Sequence, residues 1–193
     1  MAATHTKRPN RRALRTRKVI MNAFDKLISS KDINKITVSA IAREADIDRK
    51  TFYLHFKSID DLATCKTEEA IEQVLMTLKA EGTGKGFPDR LRIVLAEVNR
   101  ILTANLAVYA NIAQRLSTDQ ALEHFEQASF HALLNSGLNP ETATNQQVHM
   151  RLQFFLAGAI SLYSTWLKSD RSQPIETVSN AIEESILLLY PKE

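Results

Sequence analysis

Five side chains that can donate hydrogen bonds stand close together in the chain: Arg49, Lys50, Thr51, Tyr53 and His55. Guanidinium, ammonium, hydroxyl and imidazole groups suit the phosphate oxygens and base edges of nucleic acid, where phosphate contacts set position and base contacts set sequence. The chemistry expected here is recognition. No Ser-His-Asp or Cys-His arrangement, paired carboxylate cluster or dinucleotide fingerprint stands out in the sequence, so no enzyme and no cofactor are expected. The histidines His5, His55, His124, His131 and His149 are scattered, and Cys65 is the single cysteine. Neither has metal-ligand spacing, so no metal site is expected.

These donors need elements that hold them outward. Thr37 precedes a short segment with Val38, Ile41 and Ala42 on one face, as a helix N-cap should. Asp46-Ile47-Asp48 interrupts it, and Asp48 is placed to cap a second short segment, Arg49–Phe56. Two short helices around a tight turn make a helix-turn-helix. Small Ala42 and Ala45 let the two helices approach closely. Ile41, Ile47 and Phe52 are expected to fill their shared core, with Phe24 or Leu27 of a preceding helix (12–29) behind them. The opposite face of the second helix then presents the five donors, its N-terminal residues set to reach the major groove. Arg43 is a further candidate contact; for Arg43 and Lys50 the alternative is an ordinary solvated charge. For His55 the alternative is packing or a backbone contact, and for Tyr53 a half-buried ring whose hydroxyl meets water.

Charge points the same way. Residues 1–57 hold 14 of the 25 Lys/Arg and 5 of the 22 Asp/Glu, a net of +9, whereas residues 58–193 net −6. A basic head that releases counterions from a polyanion is one reading; a solvated basic tail, with Lys7, Arg8, Arg11 and Arg12, is the other. No apolar run reaches the roughly 18 to 20 residues needed to span a bilayer, and the basic N-terminus lacks the apolar stretch of a signal peptide. A cytoplasmic protein with no membrane partner is the expectation.

Helical periodicity continues to the end, predicting an all-α fold of about nine helices. Val19, Ile20, Ala23, Phe24, Leu27 and Ile28 stripe the first. Ser58 opens a fourth, carrying Leu62, Ile71, Leu75 and Leu78. Gly82, Gly84 and Gly86 then form a loop without the Lys-Ser/Thr of a phosphate cradle. Pro88 starts a helix to about 102–105, and a further stretch reaches 116. Thr118 caps a helix over 119–136 that Gly137 stops, Pro140 opens a long helix to about 168, and Pro174 introduces the last, with Val178, Ala181, Ile182, Ser185, Ile186 and Leu189 on one face. The expected organisation is a basic flexible arm (1–11), a three-helix helix-turn-helix domain (12–57), and a helical bundle entered through a linker helix (58–193).

Residues 14–63 resemble the DNA-binding domain of the TetR family of bacterial transcription regulators. The resemblance rests on Thr37, the Ile41-Ala42-Arg43-Glu44-Ala45 block, Thr51-Phe52-Tyr53, His55-Phe56, and Ser58 with Asp61-Leu62. It implies that Thr37 and Tyr53 contact phosphates, that Arg49 to Thr51 face bases or backbone, and that Lys57 adds a phosphate contact. Two positions depart from the family pattern. Asp46 stands where a turn glycine is usual, and aspartate tolerates the left-handed conformation better than most residues. Ile59 replaces a lysine of the linker helix, which removes one family phosphate contact that Lys57 could partly replace.

The bundle is expected to dimerise, because one helix-turn-helix covers a half-site and a two-fold axis matches a palindromic operator on double-stranded DNA. Expected interface residues are Phe155, Gly158, Leu162, Trp166, Ile182, Ile186 and Leu189. The segment from Phe155 to Pro174 resembles the C-terminal domain of a TetR subgroup that includes a dihydroxyacetone-kinase activator. Candidates for a ligand pocket are Tyr109, His131, Arg151, Phe154 and Tyr163, with core or surface positions as the alternative. The implied function is a homodimeric, sequence-specific regulator, a repressor released by a small-molecule effector. The competing reading is a coactivator or protein-interaction module that keeps the fold without operator binding.

Overall fold

The computed structural model describes residues 11–115, 117, 119, 122–123 and 146–189, and for 147–149, 152 and 189 the backbone only. Eight α-helices and no strand occur among the described residues: α1 (Arg11–Ile28), α2 (Val38–Glu44), α3 (Arg49–Tyr53), α4 (Ile59–Glu81), α5 (Phe87–Ala104), α6 (Leu106–Arg115), α7 (Gln146–Lys168) and α8 (Ile175–Leu189). The fold is all-α, as the periodicity predicts. The helix expected over 119–136, with Gly137 and Pro140 after it, lies outside the described residues, as does the arm up to residue 10. The chain forms two compact units, Met1–Ala63 and Thr64–Glu193, with the boundary inside α4.

In the first unit α1 buries Ile20, Met21, Ala23, Phe24, Leu27 and Ile28. Val19 was expected in this stripe, yet it is 44% exposed, because the buried arc is centred on Ile20, Phe24 and Leu27 and leaves Val19 at its edge. A short 3-10 turn, Ile33–Lys35, is capped by the Asp32 carboxylate and buries Ile33. Thr37 caps α2, its hydroxyl accepting from the Ala40 amide at 3.2 Å. α1 packs on α2 and α2 on α3. Ile41, Ala42, Ala45, Phe52 and Phe56 close the core over Phe24 and Leu27. Ile47 is only half-buried, at the edge of that core rather than within it.

Each link between the short helices has a local cause. Asp46 adopts φ 52, the left-handed value that a turn glycine would supply. Asp48 then accepts from the Thr51 amide at 2.6 Å and starts α3. α3 is shorter than the periodicity predicts, ending at Tyr53 and not Phe56. The Leu54 amide is shared between the Lys50 and Thr51 carbonyls, and His55 donates back to Phe52, so the last turn tightens. Ser58 caps α4 through the Asp61 amide at 3.1 Å.

In the second unit α8 packs against α5 and α7, α6 against α7, and α5 against α6. Gly82 ends α4 where a Cβ would lie 2.5 Å from the Leu78 carbonyl oxygen. Pro88 sits in the first turn of α5, where its missing N–H costs nothing. Asn105 breaks the chain between α5 and α6, which are bent 95° apart. Leu95, Ile101, Val108, Tyr109, Ile112, Ile160, Tyr163, Trp166, Leu167, Ile175, Ile182 and Ile186 are buried. On α8 the expected face turns: Ile175, Ser179, Ile182 and Ile186 are buried, while Ala181 and Ser185 are exposed. Among the described residues no single helix is long and apolar enough to cross a membrane.

Candidate nucleic-acid interface

α3 has five residues, too few to persist alone, since a helix nucleus is costly and short helices depend on packing. Its position is set from three sides. The Asp48 cap holds its first turn. Phe52, fully buried, anchors its middle. At its far end Phe56 packs 6.0 Å from Phe52, centroid to centroid, with only 1% of its surface exposed. Tyr53 stands edge-on to Phe52 at 5.4 Å and is 51% exposed, so a buried ring orients an exposed one. The carboxyl of Asp48 sits below its usual range, chiefly because it accepts the Thr51 backbone hydrogen bond.

With Phe52 turned inward, Arg49, Lys50 and Tyr53 are exposed, as are Thr37 at the start of α2, Arg43 near its end and Lys57 after α3. Thr51 and His55 are half-buried. Arg43, Thr51 and His55 line one open depression, together with Arg12 and Thr16 of α1 and with Leu54. Among the described residues no carboxylate forms an ion pair with the side chains of Arg43, Arg49 or Lys57, whereas Lys26 is paired with Glu44. Cations and hydroxyls on and beside one short capped helix make a surface for anionic oxygen.

Sequence reasoning missed four contributors. Arg12 and Thr16, spaced as i and i+4, bring α1 to the edge of the depression. Leu54 is 75% exposed beside them, an apolar tip among polar groups. Arg17 donates to the His55 carbonyl at 3.3 Å and places its guanidinium carbon 4.4 Å from the centroid of the Phe56 ring. The i, i+4 spacing on α1 could have revealed the first pair. Nothing local signals Arg17, because its partners lie 38 and 39 residues away.

The residues expected to line a ligand pocket separate. Tyr109 and Tyr163 are buried in the second unit. The Tyr163 hydroxyl donates to Asn99 Oδ1 at 2.8 Å, and Asn99 Nδ2 donates to Ser179 Oγ at 2.9 Å, so this polar chain is already satisfied within α5, α7 and α8. Burial raises the Tyr163 phenol above its ordinary value. Arg151 and Phe154 are exposed, Phe154 to 66%, the surface position that was the alternative to a pocket wall. They lie on the outer face of α7. His131 lies outside the described residues.

The residues expected at a dimer interface also divide. Gly158 and Leu162 are exposed and Phe155 is half-buried. Trp166, Ile182 and Ile186 are 9%, 5% and 7% exposed, so they are core of their own unit with little surface left for a partner. Trp166 is further tied by its indole N–H to the Gln173 carbonyl at 2.8 Å. The side chain of Leu189 lies outside the described residues.

An all-helical chain whose first unit is a capped helix-turn-helix with an outward cationic face defines a class, that of helix-turn-helix proteins. Comparison with known proteins narrows it. Residues 20–64 match the model of the bacterial regulatory proteins, tetR family. The chain is 25% identical, over 90% of its length, to the uncharacterized HTH-type transcriptional regulator YxbF of Bacillus subtilis, of which it spans 45%. Its fold resembles a TetR transcriptional regulator from Rhodococcus sp. RHA1, with TM-score 0.66 at 16% identity, covering 91% of this chain and 96% of that one. It also resembles the transcriptional regulator FadR from Bacillus subtilis in complex with stearoyl-CoA, with TM-score 0.56 at 19% identity, covering 86% and 95%. The tetR-family likeness is thus local to residues 20–64 in sequence, while the likeness to the solved regulators is one of fold.

Proposed function

We propose that this chain is a sequence-specific DNA-binding regulator of transcription, a dimeric repressor released from its operator by a small-molecule effector. The observation that carries the reading is the outer face of α3, where Arg49, Lys50 and Tyr53 are held outward by the buried Phe52 and the Asp48 cap. In this reading Arg49, Lys50 and Thr51 address base edges or adjacent backbone in the major groove. Thr37, Arg43, Tyr53, His55 and Lys57 address phosphates. Residues 12–57 read the DNA, and residues 58–193 dimerise and receive the effector.

Dimerisation is supported by the outer face of α7. Met150, Phe154 and Leu162 are 60%, 66% and 44% exposed at spacings of four and eight residues. A Cβ at Gly158, between them, would meet nothing within 4 Å. An apolar stripe with an open glycine at its centre suits close helix approach, and a two-fold axis would pair two half-site readers. An effector in the helical body is supported by the fold shared with the stearoyl-CoA complex, which makes an acyl-CoA thioester the first probe to try. Release would follow from a higher affinity of the effector for the arrangement that does not fit the operator.

The test is a titration of the promoter region beside the gene at two salt concentrations, with wild type and with Arg49→Ala combined with Tyr53→Phe. Loss of two contacts to charged oxygens should weaken binding about tenfold or more, the equivalent of about 1.4 kcal/mol. It should also flatten the salt dependence. Equal binding of the two proteins at both salts would refute the assignment of α3.

A further inference from the structure

Arg17 belongs to the basic head by sequence, but it is half-buried, its guanidinium over the ring of the buried Phe56. We infer that Arg17 is a positioning residue for the recognition helix: it clamps the C-terminal end of α3 and contributes to specificity without neutralising a phosphate. The inference rests on the DNA-reading role proposed above.

Three observations carry it. The guanidinium lies over the Phe56 ring at 4.4 Å, a distance at which a cation is attracted to the ring face. One of its nitrogens donates to the His55 carbonyl at 3.3 Å. That carbonyl belongs to the turn that follows α3, where helix-end oxygens lack intrahelical partners and a cation is favoured. Finally, Phe56 touches Phe52 and Phe52 touches Tyr53. Arg17 on α1 is therefore linked through two buried rings to an exposed ring of the reading face.

The physical need follows from the shortness of α3. Its first turn is held by Asp48 through a carboxylate bond within the same segment. Among the described residues no side chain caps its last turn as Asp48 caps the first. The amides of Leu54, His55 and Phe56 bond back to Lys50, Thr51 and Phe52, and the carbonyl that follows is met from α1. A planar guanidinium serves both demands, stacking on the ring while donating in its own plane. An ammonium meets only one of them well. Small tilts of α3 matter because base-edge hydrogen bonds are directional, whereas phosphate attraction tolerates displacement.

The experiment uses the full chain as wild type, Arg17→Met and Arg17→Lys. Each is titrated with the promoter fragment and with an unrelated duplex at three salt concentrations, and each is followed by amide hydrogen exchange without DNA. For Arg17→Met we expect about a tenfold loss of promoter affinity, a change of about twofold or less on unrelated DNA, and an unchanged salt slope. Arg17→Lys should lose about threefold on the promoter. A slope that falls by about 0.9 would mean a phosphate contact and overturn the inference. Undiminished promoter affinity in both variants would overturn it as well.

Exchange separates this outcome from failure of the DNA reading. Protection should fall at Leu54, His55 and Phe56 in Arg17→Met, while the amides of α1 and α2 keep theirs. Uniform loss across the unit, or none, would overturn the clamp whether or not wild type binds DNA. Absence of promoter binding by wild type would instead overturn the function proposed above. If Arg17→Met does not fold, Arg17→Lys decides by the same two measurements.

Discussion

The two units differ in how completely they bury themselves. Among the described residues, the large side chains less than 2% exposed all belong to the first: Phe24, Phe52, Phe56, Ile20, Ile28, Ile33, Ile41 and Leu62. Among the described residues of the second, the buried apolar side chains retain a few per cent of exposure; both units leave apolar side chains open, Leu14, Val19, Tyr53 and Leu54 in the first and Met76, Met150, Phe154, Leu162 and Leu188 in the second. Polar bonding differs too. The first unit caps its short helices with carboxylates and hydroxyls at Asp32, Thr37, Asp48 and Ser58, alongside the Lys26–Glu44 pair between α1 and α2. The second uses them to tie helix to helix, as in Arg92 with Glu183 at 2.7 Å and the Tyr163–Asn99–Ser179 chain. A reading head needs one rigid geometry, and a saturated core with capped short helices supplies it. A body with open apolar stripes has surface to share with a partner.

The contrast breaks most sharply at Phe52. Phe52→Ala removes a fully buried ring from the smaller core and should cost about 3–5 kcal/mol, to be read as loss of the cooperative unfolding transition of the head. A melt within experimental error of wild type would show that the head's core does not depend on α3.

The next effect tests the open surface of the second unit. Phe154→Glu with Leu162→Glu alters only exposed positions, so each protomer should keep its helicity. If wild type is the dimer proposed above, charges placed on both sides of the paired stripe should leave a monomer, with mass read by light scattering. A dimer of undiminished stability would move the interface away from the outer face of α7.

Two smaller tests sharpen the account of capping. Thr37→Ala removes the hydroxyl that accepts the Ala40 amide and should destabilise the head by about 1 kcal/mol in a denaturant titration. Asp48 carries the pH dependence. Its folded carboxyl titrates below the ordinary 3.8 because the Thr51 amide favours the charged form. Its contribution is therefore complete above about pH 4 and is lost as the pH falls through the folded value. Stability of the head should decline on that acid side, and Asp48→Asn should decline less. Parallel acid profiles for the two proteins would assign the loss to other carboxylates.

Much of the head was legible in sequence because its determinants are local. Thr37 and Asp48 are placed as caps directly before the turns they close. Asp46 takes the left-handed conformation at the position the turn requires, and Phe52 repeats the inward face of a short helix. Reading the bundle was harder. Ile182 and Ile186 were legible as apolar, but the partner that covers them was not, since periodicity reports a face and says nothing of what lies opposite. Phe154 shows the same limit: sequence left a pocket wall, core and surface all open for it, and it stands exposed on α7.

The sequence by itself determined the helical class, the helix-turn-helix with its caps, and the outward donor face of Arg49, Lys50 and Tyr53, because propensity, capping and i, i+4 spacing act over a few residues. Only the tertiary structure decided which cation lies over a buried ring and which apolar faces are covered. Arg17 is the instance that separates the two. Its stacking on Phe56 and its bond to the His55 carbonyl span 38 and 39 residues, a separation closed by packing of the hydrophobic core and by nothing in the local pattern.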